Sequence, residues 1–344
     1  MKKNLTTPEI ISLRIAEILR GRDRRSFSDY FYLLSKLLKI KFGGRTPLFG
    51  SADIINVCNL KCKHCYWWLN WKATEELTAE QWREVAINTF KKLHVYKVTL
   101  VGGEPLLRPD VIEVFAEELP YKCMIVTNAT HPMKFFEKMD GFWVSIDGNE
   151  TVHNEIRLPL GKVLSLEGRI TNVKTEFENV YQVTRKNVVN FTKEYGGEKV
   201  WLAMTVNALN YKCVEDVVEE WADKVGKIAL QFHTPFIQND PLWLPFGRER
   251  NELIDRIIEL RDEYPGFILN SEQHLNLLKG NWARAKGTFP GMCPTWAILA
   301  LDHVGRVKNP CCMGSAEPNA IEPICEKCGI SPYSFLFSLG ILNN

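Results

Sequence analysis

The sequence has no uninterrupted apolar stretch of about 18 residues, the length that a membrane-spanning helix requires. Its first residues also lack the short apolar core and small-residue cleavage site of a secretory signal. There is no internal repeat and no low-complexity tract, and 45% of the 344 residues are hydrophobic. We therefore expect a folded cytoplasmic protein with one large catalytic domain and smaller appendages.

The chain also has little net charge, but its charge is unevenly distributed. The formal net charge is +2, whereas residues 1–50 contain eleven Lys or Arg and four Asp or Glu, so the rest of the chain carries a net −5. A basic segment of this kind suits nucleic acid or an anionic membrane surface. Because its residues follow two amphipathic helical patterns, we expect peripheral contact with the inner face of the membrane and no nucleic-acid partner.

Ten cysteines are present, and eight of them fall in two groups. A reducing compartment keeps thiols free, so grouped cysteines in a cytoplasmic chain indicate metal ligands rather than disulfides. The two others, Cys123 and Cys213, lie in an apolar run and in a helical pattern. We expect both to be packing residues.

Periodicity predicts an α/β fold after a helical N-terminal extension. Helical patterns cover 7–19 and continue from Phe27 to Leu38. Strands are predicted at 52–57, 96–101, 122–127, 141–147, 199–206 and 227–233. Helices are predicted at 78–92, 109–118, 132–139, 184–195, 213–225 and 247–263. Six strands joined by crossover helices predict a partial, TIM-like (β/α)6 barrel with its ligands at the carboxyl ends of the strands.

Three domains are expected from these patterns. Residues 1–50 form a basic amphipathic helical extension, and residues 51–285 form the partial barrel. In residues 286–344 the sequence pattern changes to short turns rich in Gly, Pro and Cys. Such a pattern is typical of a small metal-stabilised module.

The first cysteine group, Cys58-x3-Cys62-x2-Cys65, directly follows the first predicted strand. Iron–sulfur clusters usually take four cysteines, so three would leave one iron open to a small-molecule ligand. A structural zinc site is the alternative, although zinc favours paired Cys-x2-Cys knuckles. Polar groups and paired glycines follow the next three strands: Gly102-Gly103-Glu104-Pro105, Thr127-Asn128 and Ser145-Ile146-Asp147-Gly148. A simple turn is the alternative for Asp147-Gly148.

This order of motifs resembles the radical S-adenosylmethionine (SAM) superfamily, strongly over residues 51–157 and more loosely through residue 235. His64 occupies the position where the family has an aromatic residue. The resemblance implies that Cys58, Cys62 and Cys65 hold a [4Fe-4S] cluster. It further implies SAM contacts from the following residues: His64, Gly102, Gly103, Glu104, Pro105, Thr127, Asn128, Ser145, Asp147 and Arg157.

The implied reaction begins when the reduced cluster gives an electron to bound SAM. The 5′-deoxyadenosyl radical that forms then removes a hydrogen atom from the substrate. The protein orients the substrate and excludes solvent. A ferredoxin or flavodoxin is the expected electron donor.

The second cysteine group comprises Cys293, Cys311, Cys312, Cys325 and Cys328. The segment from Asp302 to Cys311 resembles the hairpin of SPASM and twitch domains, the auxiliary-cluster modules of many radical SAM enzymes. That resemblance implies a second [4Fe-4S] cluster on Cys293, Cys325, Cys328 and one of the adjacent pair, with Cys311 the better fit. Cys312 as the ligand and a structural zinc ion are the alternatives.

Aromatic loops and an apolar C-terminus suggest a hydrophobic substrate. Trp67, Trp68 and Trp71 follow the cluster loop, residues 232–246 are rich in Phe, Trp and Pro, and residues 332–342 carry almost no charge. We expect a membrane lipid, as in archaeal radical SAM enzymes that join or modify isoprenoid chains of tetraether lipids. Peptide maturation and a non-catalytic iron–sulfur scaffold are the alternatives. Loops and tail that simply cover the barrel would explain the same residues.

Overall fold

A single parallel sheet organises the molecule. The computed structural model describes residues 25–70, 74–160, 178–282 and 293–338. Seven strands pair in the order β6-β5-β4-β3-β2-β1-β7, all parallel. They are β1 (Phe49–Ile55), β2 (Lys97–Gly102), β3 (Cys123–Thr127), β4 (Gly141–Ser145), β5 (Val200–Val206), β6 (Lys227–Phe232) and β7 (Ile298–Leu301). The predicted partial α/β barrel and its six strands are confirmed, and all their carboxyl ends meet at one edge.

Helices cover the outer face of this half-barrel. They are α1 (Phe27–Lys41), α2 (Ala79–Val85), α3 (Pro109–Glu118), α4 (Glu150–Ile156), α5 (Val180–Tyr195), α6 (Val214–Trp221), α7 (Arg248–Glu263), α8 (Glu272–Leu277) and α9 (Ser331–Ser338). Helix α2 begins with a capping box of Thr78 and Gln81 and continues as a π-helical turn over Ala86–Lys91. The helix predicted at 7–19 lies outside the described residues.

The helix predicted at 132–139 is wrong. This segment is irregular, with a turn at its end, and it hydrogen-bonds to the residues beside β3: Lys138 O accepts from Tyr121 N at 2.6 Å, and Cys123 O accepts from Asp140 N at 2.8 Å. Phe136 is thereby buried against the main core. Tertiary hydrogen bonds and this burial outweigh the local helical pattern.

Four of these helices and strands were not predicted: α4, α8, α9 and β7. Helix α4 follows Asn149, whose side chain accepts from Val152 N, so an N-cap signal was present in the sequence. Strand β7 has only four residues and adds to the sheet beside β1. The strand was not recognised within the cysteine-rich segment, because so short an apolar run does not show the alternation of apolar and polar residues that identifies a strand.

Alternation along β5 and β6 shows how the barrel is filled. Val200, Leu202, Met204 and Val206 are fully buried against the helices, whereas the residues between them, including Thr205, are only partly buried. The second set points to the inner side of the half-barrel. That side therefore retains room for ligands.

The apolar C-terminal segment packs within the fold. In α9, Tyr333 and Leu336 are buried, and Leu336 joins a small core with Ile40, Leu48 and Ala297. Among the described helices, none is both long and apolar enough to cross a membrane. The tail, as far as it is described, serves as a structural cover.

Candidate active site at the carboxyl ends of the strands

The loop Cys58–Cys65 leaves the end of β1 and is held rigidly. Three backbone hydrogen bonds connect it to the segment that follows α4. They run from Lys61 N to Leu158 O at 2.8 Å, from Lys63 N to Ile156 O at 2.9 Å, and from Leu160 N to Asn59 O at 2.9 Å. The buried Asn59 side chain also accepts from Asn128 Nδ2 at 2.9 Å and donates to Thr130 Oγ1 at 2.7 Å. The loop geometry thus depends on residues about 70 to 100 positions away.

The three thiols of this loop form one electrostatic group. Burial raises the pKa of each, and that of Cys62 reaches about 12 despite the opposing charge of Arg157. Buried soft sulfur donors suit iron, and metal binding releases their protons. Across the described residues, no three His, Cys, Asp or Glu side chains converge closely enough to ligate a single metal ion. Three cysteines with one open corner fit a [4Fe-4S] cube that also binds a small molecule.

Gly102 and Gly103 are required by the packing of this loop. A Cβ atom on Gly103 would lie 1.9 Å from Val57 O, and one on Gly102 would lie 2.3 Å from Ile55 O. Gly102 also has a φ of +119°, which favours glycine. The glycines let the exit of β2 lie directly against the exit of β1, beside Cys58. The close approach that these two glycines permit is therefore between two segments of protein backbone.

Glu104 and the next strand end form one buried acceptor site. Glu104 Oε1 accepts from Thr127 Oγ1 at 2.6 Å and from Leu106 N at 3.0 Å, and Oε2 accepts from Asn128 N at 2.8 Å. Burial raises the pKa of Glu104, and these bonds oppose that shift. A carboxylate has about four acceptor positions, so this one retains capacity for a further donor such as an ammonium group. Pro105 begins the short 3₁₀ turn that follows.

Asp147 and Arg157 form a buried ion pair beside the cysteine loop. Arg157 Nε donates to Asp147 Oδ2 at 2.7 Å, and Arg157 Nη1 donates to Cys62 Sγ at 3.7 Å. Asp147 Oδ1 accepts from Thr205 N at 3.0 Å, and His64 Nε2 lies 3.6 Å from Asp147 Oδ2. Both carboxylate oxygens are thus engaged by the protein itself. Asp147 orients Arg157 toward the cysteine loop.

Electrostatics within this group are consistent with a charged pair and a neutral histidine. Burial tends to raise the pKa of Asp147, but the charge of Arg157, together with His64, His153 and the hydrogen bond from Thr205 N, outweighs burial and lowers the pKa. Burial lowers the pKa of His64 to about 4. His64 is therefore neutral at pH 7. Ser145, the last residue of β4, is half-buried two positions before Asp147.

The five thiols of the second cysteine group act on one another electrostatically, and Cys312 has further polar neighbours. The pKa of Cys293 is raised by burial and then by the charges of all four other cysteines, and Cys311 and Cys328 each respond to Cys325. Burial raises the pKa of Cys312 as well, but here the charge of Lys308 and a hydrogen bond with the hydroxyl of Tyr333 oppose that shift. Its backbone N also donates to Tyr333 Oη at 3.0 Å. Cys312 therefore contacts Tyr333 directly, and this contact distinguishes it from the adjacent Cys311.

A small polar cavity lies next to the first cysteine loop. It has a volume of about 50 Å³ and is lined by Tyr66 and Trp67 together with charged side chains from the C-terminal segment, among them Arg306 and Lys308. Lys308 Nζ donates to Asp53 Oδ2 at 2.8 Å, and both side chains are buried. Sequence reasoning missed this pair, since the two residues are 255 positions apart and carry no local motif.

The predicted aromatic loops are only partly free to line a cavity. Phe236 is buried and stacks on Tyr66, with ring centroids 5.8 Å apart. Trp68 Nε1 donates to Leu60 O at 3.2 Å. Trp71 lies outside the described residues. Phe236 and Trp68 therefore support the cysteine loop.

Sequence comparison gives one family and several distant relatives. Residues 53–193 match the family model described as the radical SAM superfamily. The sporulation killing factor maturation protein SkfB of Bacillus subtilis is 27% identical over 192 residues, which are 52% of this chain and 40% of that protein. Fe-coproporphyrin III synthase of Methanosarcina barkeri is 27% identical over 295 residues, 78% of this chain and 66% of that enzyme. The chain thus spans less than two thirds of either relative.

Structure comparison identifies the same fold. Streptococcus suis SuiB bound to its precursor peptide SuiA superposes with a TM-score of 0.59 and 15% identity, covering 95% of this chain and 79% of SuiB. Native anSMEcpe with bound AdoMet superposes with a TM-score of 0.51 and 15% identity, covering 84% of this chain and 80% of anSMEcpe. At this identity the likeness establishes the fold.

Proposed function

The chain belongs to the radical SAM superfamily, and we propose that it cleaves SAM reductively to start radical chemistry on a polypeptide substrate. The first part of this proposal rests on one observation: three half-buried thiols after β1 lie beside the Glu104 acceptor site and Arg157. When bound, the [4Fe-4S] cluster supplies the electron that cleaves SAM into methionine and a 5′-deoxyadenosyl radical, which removes a substrate hydrogen atom.

The chain's own residues bind and orient the amino-acid part of SAM. Glu104, held by Thr127 and Asn128, accepts from an ammonium group, and Arg157 suits a carboxylate. Asp147 fixes the guanidinium of Arg157. His64, Ser145, Pro105 and the two glycines shape the rest of the site.

The auxiliary cluster that we propose binds Cys293, Cys311, Cys325 and Cys328. The mutual electrostatic effects of the five thiols support one shared site, and the hydrogen bond of Cys312 N to Tyr333 Oη and the charge of Lys308 beside the Cys312 thiol favour Cys311 as the fourth ligand. The module would occupy residues 286–344, beside a barrel of residues 51–285 and an extension of residues 1–50. A structural zinc ion on the same thiols is the alternative, and iron analysis distinguishes the two.

A pair of variants tests this ligand choice. Cys311→Ala is expected to lose about four iron atoms per chain, because it removes a cluster ligand, whereas Cys312→Ala should keep the wild-type iron content. Iron and acid-labile sulfide per chain, measured after anaerobic reconstitution, give the result. The reverse pattern would make Cys312 the ligand.

A polypeptide substrate is supported by the polar cavity beside the cysteine loop. Its lining carries charges of both signs, which suit amide and ionised groups better than a hydrocarbon chain. One sequence relative matures a sporulation killing factor, and one structural neighbour was solved with its precursor peptide. Both lines favour peptide maturation over the lipid substrate that the sequence suggested.

The substrate class is tested by comparing cells with and without the gene. Mass spectrometry of peptide extracts should reveal a small peptide whose mass or cross-linking changes only when the gene is present. Lipid extracts of the same cells serve as the matched comparison. A change confined to the lipids would contradict the peptide proposal.

A membrane lipid is the second candidate, favoured by one surface. Helix α1 exposes Phe27 at 76% and Phe31 at 64%, and Leu34 and Leu38 lie on the same side. Such a face beside Lys39 and Lys41 suits contact with an anionic bilayer. Sedimentation with anionic vesicles, compared with neutral ones, tests that contact. We propose a ferredoxin or flavodoxin as electron donor for either substrate.

A further inference from the structure

Arg250, in helix α7, is a fully buried cation without a carboxylate partner among the described residues. Its Nε donates to Leu278 O at 2.7 Å, and its Nη1 donates to Leu244 O at 3.0 Å. Within the same described part of the chain, its Nη2 has no hydrogen-bond partner. Backbone carbonyls orient this guanidinium, but they do not neutralise it.

Two aromatic rings complete its surroundings. The guanidinium carbon lies 4.0 Å from the centroid of the Phe232 ring and 4.7 Å from that of Phe246. Ring quadrupoles attract a cation but supply no net negative charge. Burial accordingly lowers the pKa of Arg250 to about 9. An isolated buried charge is strongly unfavourable unless an opposite charge lies near.

The second cysteine group lies next to this cation. Phe232, at the end of β6, donates from its backbone N to Gly329 O at 2.9 Å, and Gly329 directly follows Cys328. A Cβ atom on Gly329 would lie 2.3 Å from Phe232 O, so the two segments are in close contact. The negative charge of the Cys328 thiolate favours the charged form of Arg250. Trp282 Nε1 donates to Cys328 O at 3.1 Å and holds the cysteine in place.

We propose that Arg250 is the counter-cation of the auxiliary cluster, a positioning residue that balances its negative charge and raises its reduction potential. This inference rests on the auxiliary cluster proposed above. A cube held by four thiolates is anionic, and its one-electron reduction adds one more negative charge. A nearby fixed cation in a low-dielectric setting therefore stabilises the reduced form more than the oxidised form.

The test isolates the auxiliary cluster in the full chain. In a Cys58→Ala/Cys62→Ala/Cys65→Ala background, the protein is reconstituted with iron and sulfide and titrated with dithionite in the presence of redox mediators. Electron paramagnetic resonance follows the reduced cluster. Arg250→Met is expected to shift the midpoint potential to lower values, and Arg250→Lys to shift it less, because the charge is kept. Arg248→Met, an exposed position on the same helix, should leave the potential unchanged.

Thermal stability gives a second readout that does not depend on the potential. Without the cluster, Arg250→Met should melt at a higher temperature than the background protein, because it removes an uncompensated buried charge. Cluster loading should then raise the melting temperature of Arg250→Met by less than it raises that of the background. If Arg250→Met does not fold, Arg250→Gln provides the same comparison.

Three outcomes decide between the proposals. A lower potential together with a smaller gain in stability on loading supports the role of Arg250. An unchanged potential in a cluster-loaded Arg250→Met or Arg250→Gln protein overturns it, and the auxiliary cluster itself would still stand. A background protein that binds no iron contradicts the auxiliary cluster instead, and with it this inference.

Discussion

Replacing Cys58, Cys62 or Cys65 with alanine is expected to reduce the formation of 5′-deoxyadenosine from SAM to the background of the assay. Each change removes one of three thiol ligands, and two thiols do not retain a [4Fe-4S] cluster that needs an open corner for SAM. No other cysteine can substitute, because the loop is fixed to the segment after α4 by three backbone hydrogen bonds. Anaerobic incubation with dithionite and SAM, followed by chromatography, measures the product.

The matched control is Cys213→Ala. Cys213 is a buried residue at the end of a short 3₁₀ turn and belongs to neither cysteine group. This variant should keep both the iron content and the SAM cleavage of the wild type. The three loop variants should each lose about four iron atoms per chain while they retain those of the auxiliary cluster. Normal product formation in any loop variant would refute the proposed activity, and a wild-type protein that cannot cleave SAM would favour a non-catalytic scaffold.

Asp147→Asn is expected to lower the free energy of unfolding by about 3–5 kcal/mol, the usual result of removing one partner from a buried ion pair. Asp147 is fully buried, and it is the partner that neutralises Arg157 within hydrogen-bond distance. The amide keeps the shape of the side chain and loses its charge. Arg157 is then left as an uncompensated cation and loses its fixed orientation, so SAM affinity should fall as well. Chemical denaturation and SAM binding provide the two measurements.

Two further variants make this prediction specific. Asp223→Asn removes a carboxylate that is 77% exposed and pairs with Lys224, so its effect on the free energy of unfolding should be far smaller than that of Asp147→Asn. Asp147→Asn/Arg157→Met removes both charges and should recover part of the lost stability without restoring SAM binding. An Asp147→Asn protein as stable as the wild type would show that the pair is not the buried, mutually dependent unit described above.

The sequence by itself determined much of this protein. Side-chain chemistry and spacing identified the cysteine loop, and apolar runs separated by capping residues located six strands of the half-barrel. These features are local, because a strand period, an N-cap or a Cys-x3-Cys-x2-Cys loop is written within a few neighbouring residues. The expectation that Glu104, Thr127 and Asn128 share one site followed from a general rule, since parallel strands end at one edge.

Only the tertiary structure decided which partners these residues take. It joined Asp147 to Arg157 and Asp53 to Lys308, and it placed Cys312 beside Tyr333. It also left residues 132–139 without a helix, and Arg250 without a carboxylate partner in the described chain. The physical reason is that burial and electrostatic pairing depend on side chains brought together from distant positions, and no local pattern records them. The cysteine motif therefore identifies how the reaction starts, and long-range packing decides how its site is oriented and charged.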